Sequence, residues 1–138
     1  MSTRSLTIFR RNWWGIDSTD IVVMFRQSDG YPRGHGKELA EFLKDFRIVN
    51  GRSLPKKKDR LAYGISCLAA QVIAHFKSKA GEIYLFNGNE RDCWEEYIYI
   101  VENQEKSSKP KLSIIDCRKG RIIFEGTPEN FLESDLVK

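Results

Sequence analysis

The stretch VMFRQSDGYPRGHGKELAEFL, from Val23 to Leu43, joins an apolar segment to an amphipathic one through a loop rich in glycine. Its apolar segment, read from Asp20 to Gln27, is rich in β-branched residues, which predicts a strand. In the second segment apolar side chains recur at the i, i+3, i+4 and i+7 spacing of one helical face, at Leu39, Phe42, Leu43 and Phe46. A strand leading through a loop into a helix indicates a fold that contains both.

The neighbouring segments extend this pattern in both directions. Ser5 to Arg11 reads as a strand that forms a hairpin with Asp20 to Gln27. A second helix is predicted from Asp59, as a possible N-cap, to about Lys79, because apolar residues keep 3.6-residue spacing there. Strands follow on both sides of the polar loop NGNERD, and a further hairpin is predicted around Arg118-Lys119-Gly120.

A short terminal helix is predicted to begin at Thr127 and Pro128. The resulting order, ββααββββα over residues 1–138, predicts one α+β domain. Its sheet is expected to be largely antiparallel, with the two main helices on one face.

The composition is that of an ordinary globular domain, with 138 residues, 41% hydrophobic and 30% charged. No run approaches the ~20 apolar residues of a membrane span. The opening MSTRSLTIFRR lacks the apolar region of a secretory signal, so a cytoplasmic location is expected. The net charge of +4 permits an anionic partner but does not require one.

Side chains for metal binding or catalysis are sparse. Cys67, Cys93 and Cys117 are far apart and form no CxxC pair, so neither a metal site nor a disulfide framework is expected. Cys67 and His75 lie eight residues apart on one predicted helix, about 12 Å along its axis, which is too far for a nucleophile and its base. The sequence therefore predicts a non-enzymatic protein without a cofactor.

The glycine loop resembles a P-loop but departs from it in spacing. Five residues separate Gly30 from Gly36 where the motif has four, and Glu38 replaces the Ser or Thr that would bind Mg²⁺. Glycines before a helix can nevertheless leave N–H groups free to bind an anion. The alternative is a plain strand-to-helix turn, bent at Asp29-Gly30 and stiffened by Pro32. The candidate anion site comprises Arg33, Gly34, His35, Gly36 and Lys37.

Three other segments offer side chains for binding. Trp13 and Trp14 adjoin in a turn, where they either stack on a nucleobase or fold back over the sheet. The loop from Asn87 to Tyr97 carries amides, an arginine and a carboxylate suited to phosphate and sugar, or it is a solvated hairpin loop. The basic run KKKDR, from Lys56 to Arg60, is either a nucleic-acid contact or a solvated turn.

Taken together, DGYPRGHGKELAEFL, CLAAQVIAHFK and IYLFNGNERDCWEEYIY resemble a group of small bacterial and phage proteins. Within that group the chain is most similar to phage anti-Thoeris sponge proteins of the first described type. The resemblance implies a non-catalytic protein that binds the cyclic ADP-ribose isomer made by a bacterial TIR-domain defence protein. Bound ligand is thereby kept from its effector in the host cytoplasm. Some members also trap cyclic trinucleotides at separate sites, in a higher oligomer.

The resemblance implies a homo-oligomer, either a dimer or a trimer of dimers. It also implies a site with an apolar wall, arginines for the phosphates, and amides or carboxylates for sugar and base. The candidates are Trp13, Trp14 and Met24 for the wall, Arg26, Arg91 and Arg118 for phosphate, and Asn87, Asn89 and Asp92 for sugar and base. The alternative function is a small protein- or nucleic-acid-interaction module that uses the basic loop 52–60.

Overall fold

The computed structural model describes residues 2–12, 17–49 and 59–138. Eight strands and three α-helices occur in this part of the chain, with a π-helical turn, Pro32–Gly36, leading into α1. The elements are β1 Ser5–Asn12, β2 Ser18–Arg26, α1 Lys37–Leu43, β3 Phe46–Val49, β4 Arg60–Tyr63, α2 Gly64–Phe76, β5 Ile83–Asn87, β6 Tyr97–Glu102, β7 Lys111–Asp116, β8 Arg121–Gly126 and α3 Pro128–Leu132. None of the described helices is long and apolar enough to cross a membrane.

Six strands form one mostly antiparallel sheet in the order β5-β2-β1-β6-β7-β8. The central β1–β6 pair is parallel, and the other four neighbouring pairs are antiparallel. The predicted α+β class and largely antiparallel sheet are therefore confirmed. The predicted order ββααββββα holds except that β3 and β4, a separate parallel pair, lie between the two main helices.

Both main helices pack on the same face of this sheet. Alternate residues of β1 and β6, such as Phe9 and Tyr99, share one buried cluster with Leu43 of α1 and Leu68 of α2. The intervening residues Leu6, Ile8, Val23 and Ile100 form a second cluster on the opposite face. Successive side chains of a strand point to opposite faces of the sheet, so the two clusters lie on opposite faces. Since Leu43 and Leu68 belong to the first cluster, both main helices lie on that face. Each large side chain buried in this way contributes about 1.5–3 kcal/mol.

The second helix begins later than the sequence predicts. Residues Arg60–Tyr63 form β4, and Asp59, predicted as an N-cap, instead pairs with Arg47 at 3.5 Å. Gly64 has a φ of +83°, in the left-handed region, so the helix cannot continue N-terminally through it. The helix therefore starts at Gly64 and ends at Phe76.

The polar loop after β5 is not a hairpin, because β5 and β6 run in the same direction and do not pair. Residues 88–96, here called the crossover segment, must therefore return from one end of the sheet to the other. Cys93 of this segment packs against the cluster on the helix-free face. The crossover segment thus covers part of the face that the helices leave open.

Candidate functional site

The glycine loop does not present an open row of backbone donors to an anion. Gly34 N donates to Tyr31 O at 2.9 Å, His35 N to Asp29 O at 2.7 Å, and Gly36 N to Tyr31 O at 3.4 Å. The N–H groups expected to bind an anion are thus used within the π-helical turn. This geometry favours the alternative, a structural strand-to-helix turn, and an anion site at this loop stays a prediction.

Close packing explains two of the glycines in this loop. A Cβ at Gly30 would lie 2.7 Å from Ser5 Cβ, and one at Gly36 would lie 3.1 Å from Phe131 Cζ and 3.2 Å from Tyr99 Cε1. The Tyr99 hydroxyl also donates to Gly30 O at 2.7 Å. The loop is therefore pressed against the sheet and α3, where larger residues would not fit.

The basic side chains of the predicted anion site lie in different environments. Arg33 and Lys37 are exposed, and Arg33 Nη2 donates to the carbonyl oxygen of Lys138 at 2.6 Å. His35 is fully buried, and burial, with the Arg26 charge nearby, lowers its pKa to about 3. His35 is therefore neutral near pH 7 and supplies no positive charge to an anion.

The predicted ligand residues fall at opposite ends of the sheet. Asn87 pairs with Val22, whereas Arg26 lies four residues further along β2, about 13 Å away. Arg118 follows the end of β7 where Asp116 pairs with Tyr97, at the Arg26 end of the sheet. One protomer therefore does not gather these residues into a single site.

Two of the candidates for the apolar wall lie outside the described residues, namely Trp13 and Trp14. The third, Met24, is fully buried in the main core. A side chain in that position cannot contact a surface ligand without rearrangement of the core. Residues 52–58 of the basic loop also lie outside the described part of the chain.

The candidate residues of the crossover segment hold that segment in place. Arg91 donates to Gly88 O at 2.9 Å and to Asp20 Oδ2 at 2.8 Å, while Asn87 Oδ1 accepts a hydrogen bond from Asn89 N at 2.9 Å. Asp92 is exposed and has a φ of +61°. These contacts give Arg91 and Asn87 a structural role in this conformation.

Asp20 connects the crossover segment to the sheet, because it also accepts a hydrogen bond from Arg10 Nε at 2.7 Å. Partial burial would raise the pKa of Asp20, but the hydrogen bond from Arg10 and the charges of Arg10 and Arg91 outweigh it. The net result is a lowered pKa. Asp20 thus remains ionised and bound to both arginines at neutral pH.

One cleft in the described part of the chain lies where β1 and β6 end and α2 begins. Its volume is ≈ 670 Å³, within the range of small-molecule sites. We call it the α2 N-terminal cleft. It is lined by Arg11, Asn12, Ile48, Val49, Tyr63, Gly64, Ile65, Asn103, Gln104, Glu105, Lys106, Ser107 and Ser108.

The N-terminus of α2 opens into this cleft without a side-chain cap among the described residues. A Cβ at Gly64 would meet nothing within 4 Å, so there is free space beside the first residue of the helix. The first N–H groups of a helix have no intrahelical partner and carry a partial positive charge. Lys106 and Arg11 add full positive charges to the lining, and Tyr63 is 61% exposed beside the helix start.

Side-chain amides fix the loop that forms the opposite wall. Asn103 accepts a hydrogen bond from Asn12 N at 2.7 Å and donates to Asn12 O at 2.9 Å, which ties the ends of β6 and β1 together. Gln104 Nε2 donates to Lys109 O at 2.9 Å. The loop is thereby held beside the helix start, with polar groups along the cleft.

Sequence reasoning missed this cleft because its lining comes from segments far apart in the chain. Tyr63 and Gly64 were placed inside a continuous helix, and the loop after β6 carried no binding motif. A glycine directly after an exposed aromatic residue, within an otherwise helical pattern, is the one local signal that could have indicated an open helix start.

A second cleft, here called the Arg26 cleft, has a volume of ≈ 580 Å³ and lies near the other end of α2. It is lined by Arg26, Glu38, Glu41, Phe42, Arg60, His75, Phe76, Glu82 and Ile83. It contains both acidic and basic side chains beside aromatic rings. Of the predicted ligand residues, it includes Arg26 alone.

Metal binding has no support in the described residues, because no group of three or more His, Cys, Asp or Glu side chains is placed to hold an ion. Comparison of the chain with protein-family models, curated proteins and solved structures found no match. The two clefts and their chemistry are therefore the features that bear on function.

Proposed function

We propose that the protein is a non-catalytic binder that sequesters a cyclic ADP-ribose isomer in the host bacterial cytoplasm, as the resemblance to anti-Thoeris sponge proteins implies. In this proposal the ligand occupies the α2 N-terminal cleft. The observation that carries it is the uncapped start of α2 at Gly64, which opens into a ≈ 670 Å³ cleft with cationic side chains in its lining.

The pyrophosphate of such a ligand suits the start of a helix. Phosphate oxygens accept hydrogen bonds from the free N–H groups and are stabilised by the helix dipole, by about 0.3–2 kcal/mol. Lys106 lines the same cleft and adds a charge of the required sign. The only carboxylate among the described lining residues is Glu105, so repulsion of a dianion is limited.

The adenine and ribose groups also have partners in this cleft. Tyr63 is 61% exposed and offers a ring for stacking, which is worth about 1–3 kcal/mol per base. Ser107 and Ser108 supply hydroxyl groups for the ribose oxygens, and Ile48 supplies apolar surface. The lining therefore combines the three kinds of contact that a cyclic dinucleotide-like ligand needs.

The lining also supports binding rather than catalysis. Among the described residues of this cleft there is no His or Cys, and Glu105 has no second carboxylate beside it. General acid–base catalysis and nucleophilic catalysis both depend on a positioned pair of such groups. A ligand held there is expected to remain intact.

The resemblance further supports a homo-oligomer, and we include it in the proposal as a dimer or a trimer of dimers. A cyclic nucleotide in a cleft that is open to solvent gains affinity when a second subunit covers it. Cyclic trinucleotides are included as additional ligands on the same basis.

The test is calorimetric titration of the purified protein with a cyclic ADP-ribose isomer. Tyr63→Ala is expected to weaken binding by about tenfold or more, because it removes one stacking partner. The matched control is Tyr84→Ala, since Tyr84 is also an exposed tyrosine but lies on β5, outside the cleft. Unchanged affinity in Tyr63→Ala, or no binding by the wild type, would overturn the assignment.

A further inference from the structure

Arg26 in the Arg26 cleft has guanidinium N–H groups that form no hydrogen bond with the described residues. Arg26 is 9% exposed, yet it lines the cleft. Its Nε donates to Ser28 O at 2.8 Å, and its Nη1 contacts His35 and Glu38. The remaining nitrogen, Nη2, has no hydrogen-bond partner among the described residues. Ser5 Oγ, and not Arg26 Nη2, is the buried side-chain atom that lacks a partner among the described residues, so Nη2 is accessible to solvent and free to donate to a ligand in the cleft.

A chain of buried polar groups fixes the orientation of this guanidinium. Arginine has only donors, so Arg26 Nη1 donates to His35 Nδ1 at 3.2 Å. The neutral ring then carries its proton on Nε2, which donates to Thr7 Oγ1 at 2.8 Å. Thr7 and His35 are both fully buried. The orientation of the guanidinium is therefore fixed by buried hydrogen bonds, which an ion pair on the surface does not have.

Carboxylate acceptors lie beside these donors. Glu38 Oε2 accepts from Arg26 Nη1 at 2.7 Å, which leaves Oε1 without a hydrogen-bond partner among the described residues. Glu41 lies three residues further along α1, on the same helical face, and lines the cleft without a described ion-pair partner. The cleft thus presents an arginine donor next to carboxylate acceptors.

Aromatic rings complete the lining. The rings of Phe42 and His75 stack with centroids 4.1 Å apart and an interplanar angle of 18°. Phe76 packs edge-on against His75 at 5.2 Å and holds that ring in place. His75 is exposed despite these two contacts and lines the cleft, so the uncovered part of its ring is available to another planar ring.

We propose that the Arg26 cleft binds the guanine base of a nucleoside or nucleotide. On the Watson–Crick edge of guanine, the acceptor O6 lies beside the donors N1–H and N2–H. Arg26 Nη2 donates to O6, the free oxygens of Glu38 and Glu41 accept from N1–H and N2–H, and the base stacks on His75. Adenine has an amino donor where guanine has O6, so it would set donor against donor at Arg26. The cleft therefore selects guanine over adenine.

This inference is independent of the α2 N-terminal cleft, which lies near the opposite end of α2. Variants in one cleft test the proposal for that cleft without affecting the other cleft. Tyr63→Ala is expected to leave guanosine binding unchanged. Glu41→Gln is expected to leave binding of the cyclic ADP-ribose isomer unchanged.

The test is to titrate the full chain with guanosine and with adenosine, and to monitor binding through the amide chemical shifts in the NMR spectrum. Wild type is expected to bind guanosine at least tenfold more tightly than adenosine, with shifts around Glu38, Glu41 and His75. GMP serves as a second guanine ligand and is expected to show the same preference over AMP. Equal affinity for the two bases, or shifts elsewhere only, would overturn the proposal.

The variants keep the proposal testable if Arg26 proves necessary for folding. Glu41→Gln changes an exposed side chain and is expected to weaken guanosine binding about fivefold or more, because one charged acceptor is lost. Glu133→Gln is the matched control, since Glu133 is exposed at the end of α3 and outside the cleft. Arg26→Lys, if folded, is expected to abolish the preference for guanine. Full guanosine affinity in Glu41→Gln would contradict the assignment.

Discussion

Arg26 Nη1, at the end of β2, lies 3.2 Å from His35 Nδ1 in the π-helical turn, and both residues are at least nine-tenths buried. This contact joins the loop that suggested an anion site to the strand that precedes it. It also fixes the protonation of His35, because a protonated ring could not accept from an arginine. The loop therefore helps to position Arg26, and its backbone N–H groups at Gly34, His35 and Gly36 are already used within the turn.

The buried His35 predicts a pH dependence of stability. Its pKa in the folded protein is about 3, against 6.5 for an ordinary histidine. Below pH 6.5 the unfolded chain takes up a proton that the folded chain does not. The free energy of unfolding is therefore expected to fall by about 1.4 kcal/mol per pH unit as the pH drops from 6.5 towards 3.

Urea unfolding between pH 7.5 and 4.5 measures this effect, with His35→Gln as the comparison. Carboxylates titrate in both proteins, so the difference between the two curves isolates the histidine. The wild type is expected to lose stability more steeply than the variant. Parallel curves would show that His35 is not neutral and buried in the folded state.

Because Asp20 forms ion pairs with Arg10 and Arg91, we expect removal of its charge to lower the stability of the whole fold and to loosen the crossover segment. Asp20→Asn weakens the contacts to Arg10 and Arg91, and we expect a loss of about 1–3 kcal/mol in unfolding free energy. Amide hydrogen exchange is expected to accelerate in the crossover segment, which Arg91 ties to the sheet. Asp135→Asn, at an exposed position near the C-terminus, serves as the control. Unaltered exchange in residues 88–96 would contradict this role.

The close approach at Gly36 predicts a steric cost for a single methyl group. Gly36→Ala places Cβ about 3.1 Å from Phe131 Cζ and 3.2 Å from Tyr99 Cε1, both on buried rings. We expect a loss of about 1–3 kcal/mol in unfolding free energy, as for other overpacked cores. Stability equal to wild type in chemical denaturation would mean that the loop can move away from α3.

The positive charge in the α2 N-terminal cleft predicts an electrostatic effect on ligand affinity. Lys106→Glu is expected to weaken binding of a cyclic ADP-ribose isomer by about tenfold at low salt, and by less at high salt. Lys44→Glu makes the same charge change at an exposed site after α1, outside the cleft. If both variants lower affinity equally, only the net charge matters and the cleft is not the phosphate site.

Local sequence patterns predicted the parts of the fold that depend on near neighbours. The β1–β2 and β7–β8 hairpins form as expected, and Thr127 caps α3 by accepting a hydrogen bond from Asn130 N. The apolar spacing of Leu39 and Leu43 identified the buried face of α1. Each of these features is determined by residues only a few positions apart.

Features that depend on distant pairing were not predictable in this way. β3 and β4 pair in parallel across the segment 50–58. β6 pairs with β1 although the two strands are far apart in the chain, as the pairing of Ser5 with Tyr97 shows. The α2 N-terminal cleft is lined by four such segments, at residues 11–12, 48–49, 63–65 and 103–108. Residue types suggested Arg26 as a ligand contact, but only the packing of α1 against β2 shows which groups surround it.

The most direct test of the central claim is to recover the ligand from the protein. The purified chain is incubated with extract from cells whose TIR-domain defence has been triggered, separated from small molecules, and denatured by heat. Mass spectrometry of the released fraction is expected to show an intact cyclic ADP-ribose isomer with wild type and far less with Tyr63→Ala. An empty fraction with the signal undiminished in the extract would contradict sequestration. A consumed signal with nothing released would show that the protein is an enzyme.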